Sequence, residues 1–168
     1  MLTHRPAQPA DNQLYFDWAN DPDTRQQSFN SAPISLRTHT VWFTRKLADP
    51  NALLLLFENK AGEAVGQVRF ERTPVVDIPD EIVIGISVNA EHRGQGLAGQ
   101  LIEQGCGACR KQWGAVTIHA CIKPSNQASV RAFERASFRL SGESGKFADP
   151  GRANSGGELP ALVYILNT

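Results

Sequence analysis

The chain has 168 residues, 41% of them hydrophobic, with 17 basic and 17 acidic side chains. That length suits one domain, residues 1–168, with a sizeable core, and a net charge of zero gives no general field to attract nucleic acid or an acidic membrane. No run approaches the ~20 apolar residues of a membrane span, and the first residues lack the apolar stretch of a signal peptide, so a cytoplasmic protein is expected.

In chain order, residues 2–7 read as a short edge strand. Residues 11–20 predict a short helix, with Leu14 and Trp18 four apart, stopped by Asn20-Asp21-Pro22. Ser35 is an N-cap for a second helix over residues 36–48, which carries His39, Trp42, Phe43 and Leu47. Residues 52–57 are a continuous apolar run, a buried strand. A turn at residues 59–62 leads to a returning strand over residues 63–70. Residues 73–80, with Pro74 and Pro79, read as a loop, and residues 81–88 as a strand.

A glycine-rich turn then opens a helix over residues 96–113, whose stripe is Leu97, Leu101, Cys109 and Trp113 with Ile102 and Cys106 beside it. Residues 116–122 are a strand parallel to 81–88, because a helix connects the two. Another helix starts at Pro124-Ser125-Asn126 and ends near Ser137. A polar loop over residues 141–160 precedes a final strand, 161–166. The fold class is α/β, a mixed sheet with helices on both faces.

The turn before the long helix carries the chemistry. A helix start gathers backbone N–H groups without intrahelical partners, and the helix dipole adds positive potential there. Gly94 and Gly96 allow an anion close to that backbone, and Arg93 places a cation at the rim. This is a phosphate cradle. Gly94-Gln95-Gly96-Leu97-Ala98-Gly99 matches the dinucleotide pattern literally. However, Asn89 to Arg93 separate it from the strand, and residues 117–123 offer no acidic residue for a ribose. No Gly-Lys-Ser/Thr follows, so a nucleoside-triphosphate loop also fails, and a plain glycine-rich loop is the remaining bland alternative. Cys106-Gly-Ala-Cys109 lies in a helix without a second pair or a nearby His. It reads as two small buried residues rather than a metal site, and no metal is expected.

Arg93-x-x-Gly96-x-Ala98 after an apolar strand resembles the acetyl-CoA motif of the GCN5-related N-acetyltransferases, the GNAT superfamily. Downstream, Asn126-x-x-Ser129-x-x-x-Phe133-Glu-Arg-x-Ser137-Phe138 resembles that superfamily's Asn-x-x-Ser-x-x-x-Tyr-Glu-Lys-x-Gly-Phe segment. The resemblance implies the GNAT fold, a soluble N-acetyltransferase and acetyl-CoA as co-substrate, without a metal. It implies that Ile86, Ser87 and Val88 meet the pantetheine arm, with the Val88 N–H as oxyanion donor. It implies that Arg93, Gly94, Gln95, Gly96, Leu97, Ala98 and Gly99 hold the pyrophosphate, and that Asn126, Ser129 and Phe133 lie beside the cofactor. Asn126 also reads as a plain helix N-cap. Phe133 departs from the family's tyrosine and has no proton to give a leaving thiolate.

Sequence leaves the base open among His119, Glu81 and Glu71, with Ser87 sharing the face of Glu81 by alternation. Some relatives carry a carboxylate where Cys121 stands. The expected acceptor is a small-molecule amine. The segment from Trp18 to Asn51, with Gly66-Gln-Val-Arg69-Phe70, resembles acetyltransferases of bacterial nonulosonic-acid synthesis, which act on the 4-amino group of a UDP-linked amino sugar on the way to pseudaminic acid. That resemblance puts Arg25, Phe29, Trp42 and Arg69 at a nucleotide sugar, through diphosphate contacts and aromatic stacking. An N-terminal protein acetyltransferase of the ribosomal-protein type and a non-catalytic CoA-binding domain are the rival readings. No nucleic-acid or membrane partner is expected, and a homodimer stays open.

Overall fold

In the computed structural model, residues 1–73, 81–144 and 161–168 are described. Seven strands form one sheet in the order β1-β2-β3-β4-β5-β7-β6. They are β1 (Thr3–Pro6), β2 (Ala52–Glu58), β3 (Ala64–Thr73), β4 (Glu81–Val88), β5 (Thr117–Ile122), β6 (Arg139–Ser144) and β7 (Ala161–Asn167). Neighbouring strands run antiparallel except β4 and β5, which are parallel across the long helix that joins them. The helices are α1 (Asn12–Ala19), α2 (Pro22–Gln27), α3 (Leu36–Ala48), α4 (Leu97–Trp113) and α5 (Gln127–Arg135).

The apolar run of β2 explains the layering. Along a strand, successive side chains face opposite ways, so an unbroken hydrophobic strand must be covered on both sides. Leu55 and Phe57 enter the core under α4 and α5, with Val68, Phe70, Ile84, Leu101, Cys106 and Phe133. Leu54 and Leu56 enter a second core under α1 and α3, with Tyr15, Trp18 and Phe43. Gly105 is the point where α4 lies flat on the sheet: a Cβ there would stand 3.1 Å from Val68 Cγ1. Cys106 and Cys109 are buried free thiols, pushed up to about 12 by burial, and no metal-holding group occurs among the described residues.

Two elements were not foreseen. Asp21-Pro22 reads from sequence as the end of one helix, but it begins another. Asp21 caps α2 by accepting from the Thr24 amide, and Pro22 takes the first helical position, where its missing N–H costs nothing. Residues 139–144 form β6, which among the described residues pairs only with β7, with an irregularity between Leu140 and Gly142. Its polar composition gives no alternation to read. The loop expected over residues 73–80 lies outside the described residues from 74 on, as does the part of the expected 141–160 loop from residue 145 on.

Candidate active site

β4 and β5 pair only at Glu81–Thr117, Ile82–Ile118 and Val83–His119, and then separate. The rest of β4, residues 84–88, has no partner on that side among the described residues. The backbone direction follows from β3. Asn89 N–H donates to the Val65 carbonyl at 2.8 Å, so that opposed pair is hydrogen-bonded. By the antiparallel alternation Ser87 and Gly85 also bond β3, while Val88, Ile86 and Ile84 aim their N–H and C=O groups away from β3, at the opening. An extended amide arm laid there would continue the sheet. The Val88 carbonyl at this edge is taken by Arg93 Nε at 3.2 Å, which leaves the Val88 N–H to face the opening.

The glycine loop follows β4 directly. Gly94 and Gly96 have φ of +76° and +72°, a conformation that glycine alone adopts freely, and Gly96 is the N-cap of α4 without a side-chain cap. A Cβ added at Gly94, Gly96 or Gly99 would meet nothing within 4 Å, so the space over this backbone is open to a ligand. The first-turn amides of α4 and an approach unobstructed by side chains make an anion site that fits a pyrophosphate.

Opening and cradle share one cavity of about 560 Å³. Ile86, Ser87, Val88, Arg93, Gly94, Gly96, Leu97 and Ala98 line it on the side of β4 and the glycine turn, with Asn126 at the cap of α5 and Ser129 and Phe133 within that helix. Gln95 and Gly99 belong to the same loop and turn but do not line it. Asn126 caps α5, accepting from the Ser129 amide at 3.2 Å. Phe133 is fixed by the end of the same helix. Phe138 N–H donates to the Phe133 carbonyl and Ser137 N–H to the Glu134 carbonyl, each at 3.0 Å, while the Phe133 and Phe138 rings meet edge-on at 5.0 Å. This is a Schellman ending with its apolar contact, and Ser137 takes the left-handed φ of +69° that glycine would take without strain.

The opposite wall comes from α1, α2, α3 and the facing side of β3 and β4. Arg25, Phe29, Trp42 and Arg69 all line it. The Arg69 guanidinium lies 5.2 Å over the Trp42 ring and forms an ion pair with Glu71, Nε to Oε1 3.2 Å. It crosses β4 at Gly85, where a Cβ would stand 3.3 Å from Nη2. Its two terminal nitrogens make no hydrogen bond among the described residues. Arg25 differs. It is buried, and its guanidinium donates to the carbonyls of Ala19, Asn30 and Ala32 and to Ser28 Oγ. Those bonds brace the turn after α2, so the expectation that Arg25 grips a diphosphate gives way to a structural role.

The expected bases also fall elsewhere. Glu81 starts β4, roughly 23 Å from Val88 at about 3.3 Å per residue. His119 pairs with Val83, where the opening begins, about 16 Å from Val88 on the same spacing. Neither lines the cavity, and proton transfer needs contact or a bridging water. Cys121 does line it, with its thiol pushed up to about 12 by burial and by Glu81. Sequence reasoning missed Gln67, which lies opposite Ser87 and donates from Nε2 to Ser87 Oγ at 3.0 Å. That bond leaves the Ser87 proton free to be donated. Only the strand register brings the two together, so no local pattern could reveal it. His39 and His92 are the two imidazoles that line the cavity.

The family model described as the acetyltransferase (GNAT) domain matches residues 2–139. No curated protein sequence matches the chain. Among solved structures, a spermidine N-acetyltransferase from Vibrio cholerae in complex with CoA and spermine superposes with a TM-score of 0.83 at 16% identity, covering 99% of this chain and 95% of that one. The aminoglycoside acetyltransferase AAC(6')-Ib with coenzyme A gives 0.79 at 18% identity over 99% and 95%. A GNAT-family acetyltransferase from Streptococcus pneumoniae gives 0.73 at 15% identity over 99% of each chain. No described helix is long and apolar enough to cross a membrane.

Proposed function

The chain belongs to the GNAT acetyltransferase domain family, and from that premise we propose that it acetylates the 4-amino group of a UDP-linked amino sugar. As a GNAT acetyltransferase it uses acetyl-CoA, which supplies an acyl carbon open to attack and a thiol leaving group. The observation that carries the cofactor half is the edge of β4 that has no partner among the described residues, beside the open glycine turn. Along that edge Ile86 and Val88 offer backbone groups to an amide arm, and the Val88 N–H donates where negative charge develops on the acyl oxygen. The backbone of residues 94–99 takes the pyrophosphate. Phe133 offers no proton, so the thiol-like acidity of the leaving group must suffice. With Glu81 and His119 remote, the attacking amine gives its proton to water held by His39 or His92, the cavity's imidazoles.

The charge of the lining supports the acceptor reading. The solved relatives named for aminoglycoside and spermidine have polycationic acceptors. Here, among the described lining residues, one carboxylate, Asp23, stands with Arg25, Arg69, Arg93 and Lys123. Such a wall does not attract a polycation. Arg69, whose two terminal nitrogens make no hydrogen bond among the described residues, lies beside the Trp42 ring and suits an acceptor that carries both a phosphate and a flat or sugar face. The test is a panel of amines with acetyl-CoA, read as free thiol: UDP-amino sugars, aminoglycosides, polyamines and N-terminal peptides. A UDP-4-amino sugar should give the highest kcat/KM. Preference for spermidine or an aminoglycoside would overturn the acceptor assignment, and thiol release with no amine in the panel would overturn the transfer reaction itself.

A further inference from the structure

Arg93 belongs by sequence to the cofactor cradle, yet its side chain is spent on the other half of the molecule. Nη1 donates to Asp23 Oδ2 at 3.0 Å, and Nη2 to Asp21, with a longer contact to Thr24 Oγ1 at 3.4 Å. Nε holds the Val88 carbonyl at 3.2 Å. Asp21 is the N-cap of α2, so the guanidinium grips the start of that helix. Burial pushes the Asp21 carboxyl upward, but Arg93 and the Thr24 amide outweigh it and hold the group below its usual range. At the other end of α2, Lys123 Nζ donates to the Gln26 carbonyl at 2.7 Å.

The placement of these two cations is the point. Arg93 follows β4, and Lys123 follows β5, the two strands that separate to form the opening. The short helix is therefore fastened to both lips, and its Thr24, Arg25 and Gln27 form cavity wall. A free six-residue helix has no stability of its own, so its position depends on such anchors.

We propose that Arg93 is a positioning residue for the acceptor, which seats α2 across the two lips, and that the pyrophosphate is held by the backbone of residues 94–99 without the Arg93 fork. This rests on the reading that the cavity takes an amine acceptor against α2. A cofactor that claimed the guanidinium would have to strip it from two carboxylates and release the acceptor wall. The backbone amides of the α4 start carry no such conflict.

Two variants test this in the full chain: Arg93→Ala, and the pair Asp21→Asn with Asp23→Asn, which removes the charges and keeps an N-cap residue. Calorimetry should give an acetyl-CoA Kd within threefold of wild type in both. Hydrogen exchange without ligand should be at least tenfold faster at amides 23–28 in both. With the best acceptor of the panel, KM should rise tenfold or more while kcat changes less than threefold, and Arg93→Lys should recover part of the loss. A tenfold weaker acetyl-CoA Kd in Arg93→Ala, unchanged exchange over 23–28, or an unchanged acceptor KM in either variant would overturn the proposal. Exchange and cofactor affinity need no acceptor. An error in the acceptor class therefore shows in the wild type's preference and leaves those two readouts to judge Arg93.

Discussion

The two walls of the cavity are made of different material. The wall from β4, the glycine turn and α4 presents backbone: the outward N–H groups of Ile86 and Val88 and the first amides of a helix capped by Gly96. The wall from α1, α2, α3 and β3 presents side chains, and several of those are engaged within the protein. Arg25 braces a turn, Arg69 rests on Trp42 and Glu71, and Gln67 holds Ser87. A backbone site must clear side chains away, which leaves glycines at fixed spacing in the sequence. A side-chain site uses the same arginines and aromatics that packing uses, and it leaves no such mark.

The sharpest break in that comparison is Arg25→Ala. On the side-chain wall a lining arginine can be structure rather than recognition. Removing it leaves the Ala19, Asn30 and Ala32 carbonyls without their charged donor, at a cost of about 2–3 kcal/mol of stability. Urea denaturation should show the loss. Wild-type stability with only a raised acceptor KM would return Arg25 to the acceptor.

Next is Gly96→Val on the backbone wall. No protein atom lies within 4 Å of the new Cβ, so crowding inside the fold is not the issue. The left-handed φ and the methyl groups over the cradle are. The acetyl-CoA Kd should rise tenfold or more, ~1.4 kcal/mol, measured by calorimetry on a folded variant. Gly99→Ala, whose φ is ordinary, should be far milder.

Ser137→Gly should act in the opposite direction. A non-glycine residue at φ +69° costs about 1 kcal/mol, and glycine relieves most of it despite its greater freedom when unfolded. The midpoint of denaturation should move upward with acetyl-CoA affinity unchanged, and a lower midpoint would contradict this account of the α5 ending.

The smallest effect belongs to Phe133→Tyr. If the thiolate leaves without an acid, a restored phenol changes kcat by less than about threefold, ~0.7 kcal/mol. A tenfold rise would show that leaving-group protonation limits the reaction.

This difference in material also explains what could be read in the chain. The continuous apolar β2, the Ser35 cap of α3 and the strand–glycine turn–helix of β4 and α4 are local patterns, and each forms where its pattern lies. α2 was hidden because Asp21-Pro22 serves equally as stop and start. β6 was hidden because an edge strand paired on one side needs no alternation. In the site, the open turn before α4 was legible from Gly94 and Gly96. The partnership of Gln67 with Ser87, and of Arg93 with Asp21 and Asp23, joins residues far apart in sequence. The base candidates Glu81 and His119 lie off the cavity lining for a related reason. Alternation told which face each side chain takes, but not how far along the strand the opening lies.

Cofactor binding rests above all on the edge of β4 that has no strand partner among the described residues, and a crystal structure with acetyl-CoA tests it most directly. The pantetheine should run between residues 84–88 and the end of β5, bonded to the backbone of Ile86 and Val88. The thioester oxygen should lie about 2.7–3.1 Å from the Val88 nitrogen, with the pyrophosphate on the amides of residues 94–99. A pantetheine outside that opening, or a thioester oxygen held by a side chain rather than the Val88 N–H, would contradict it.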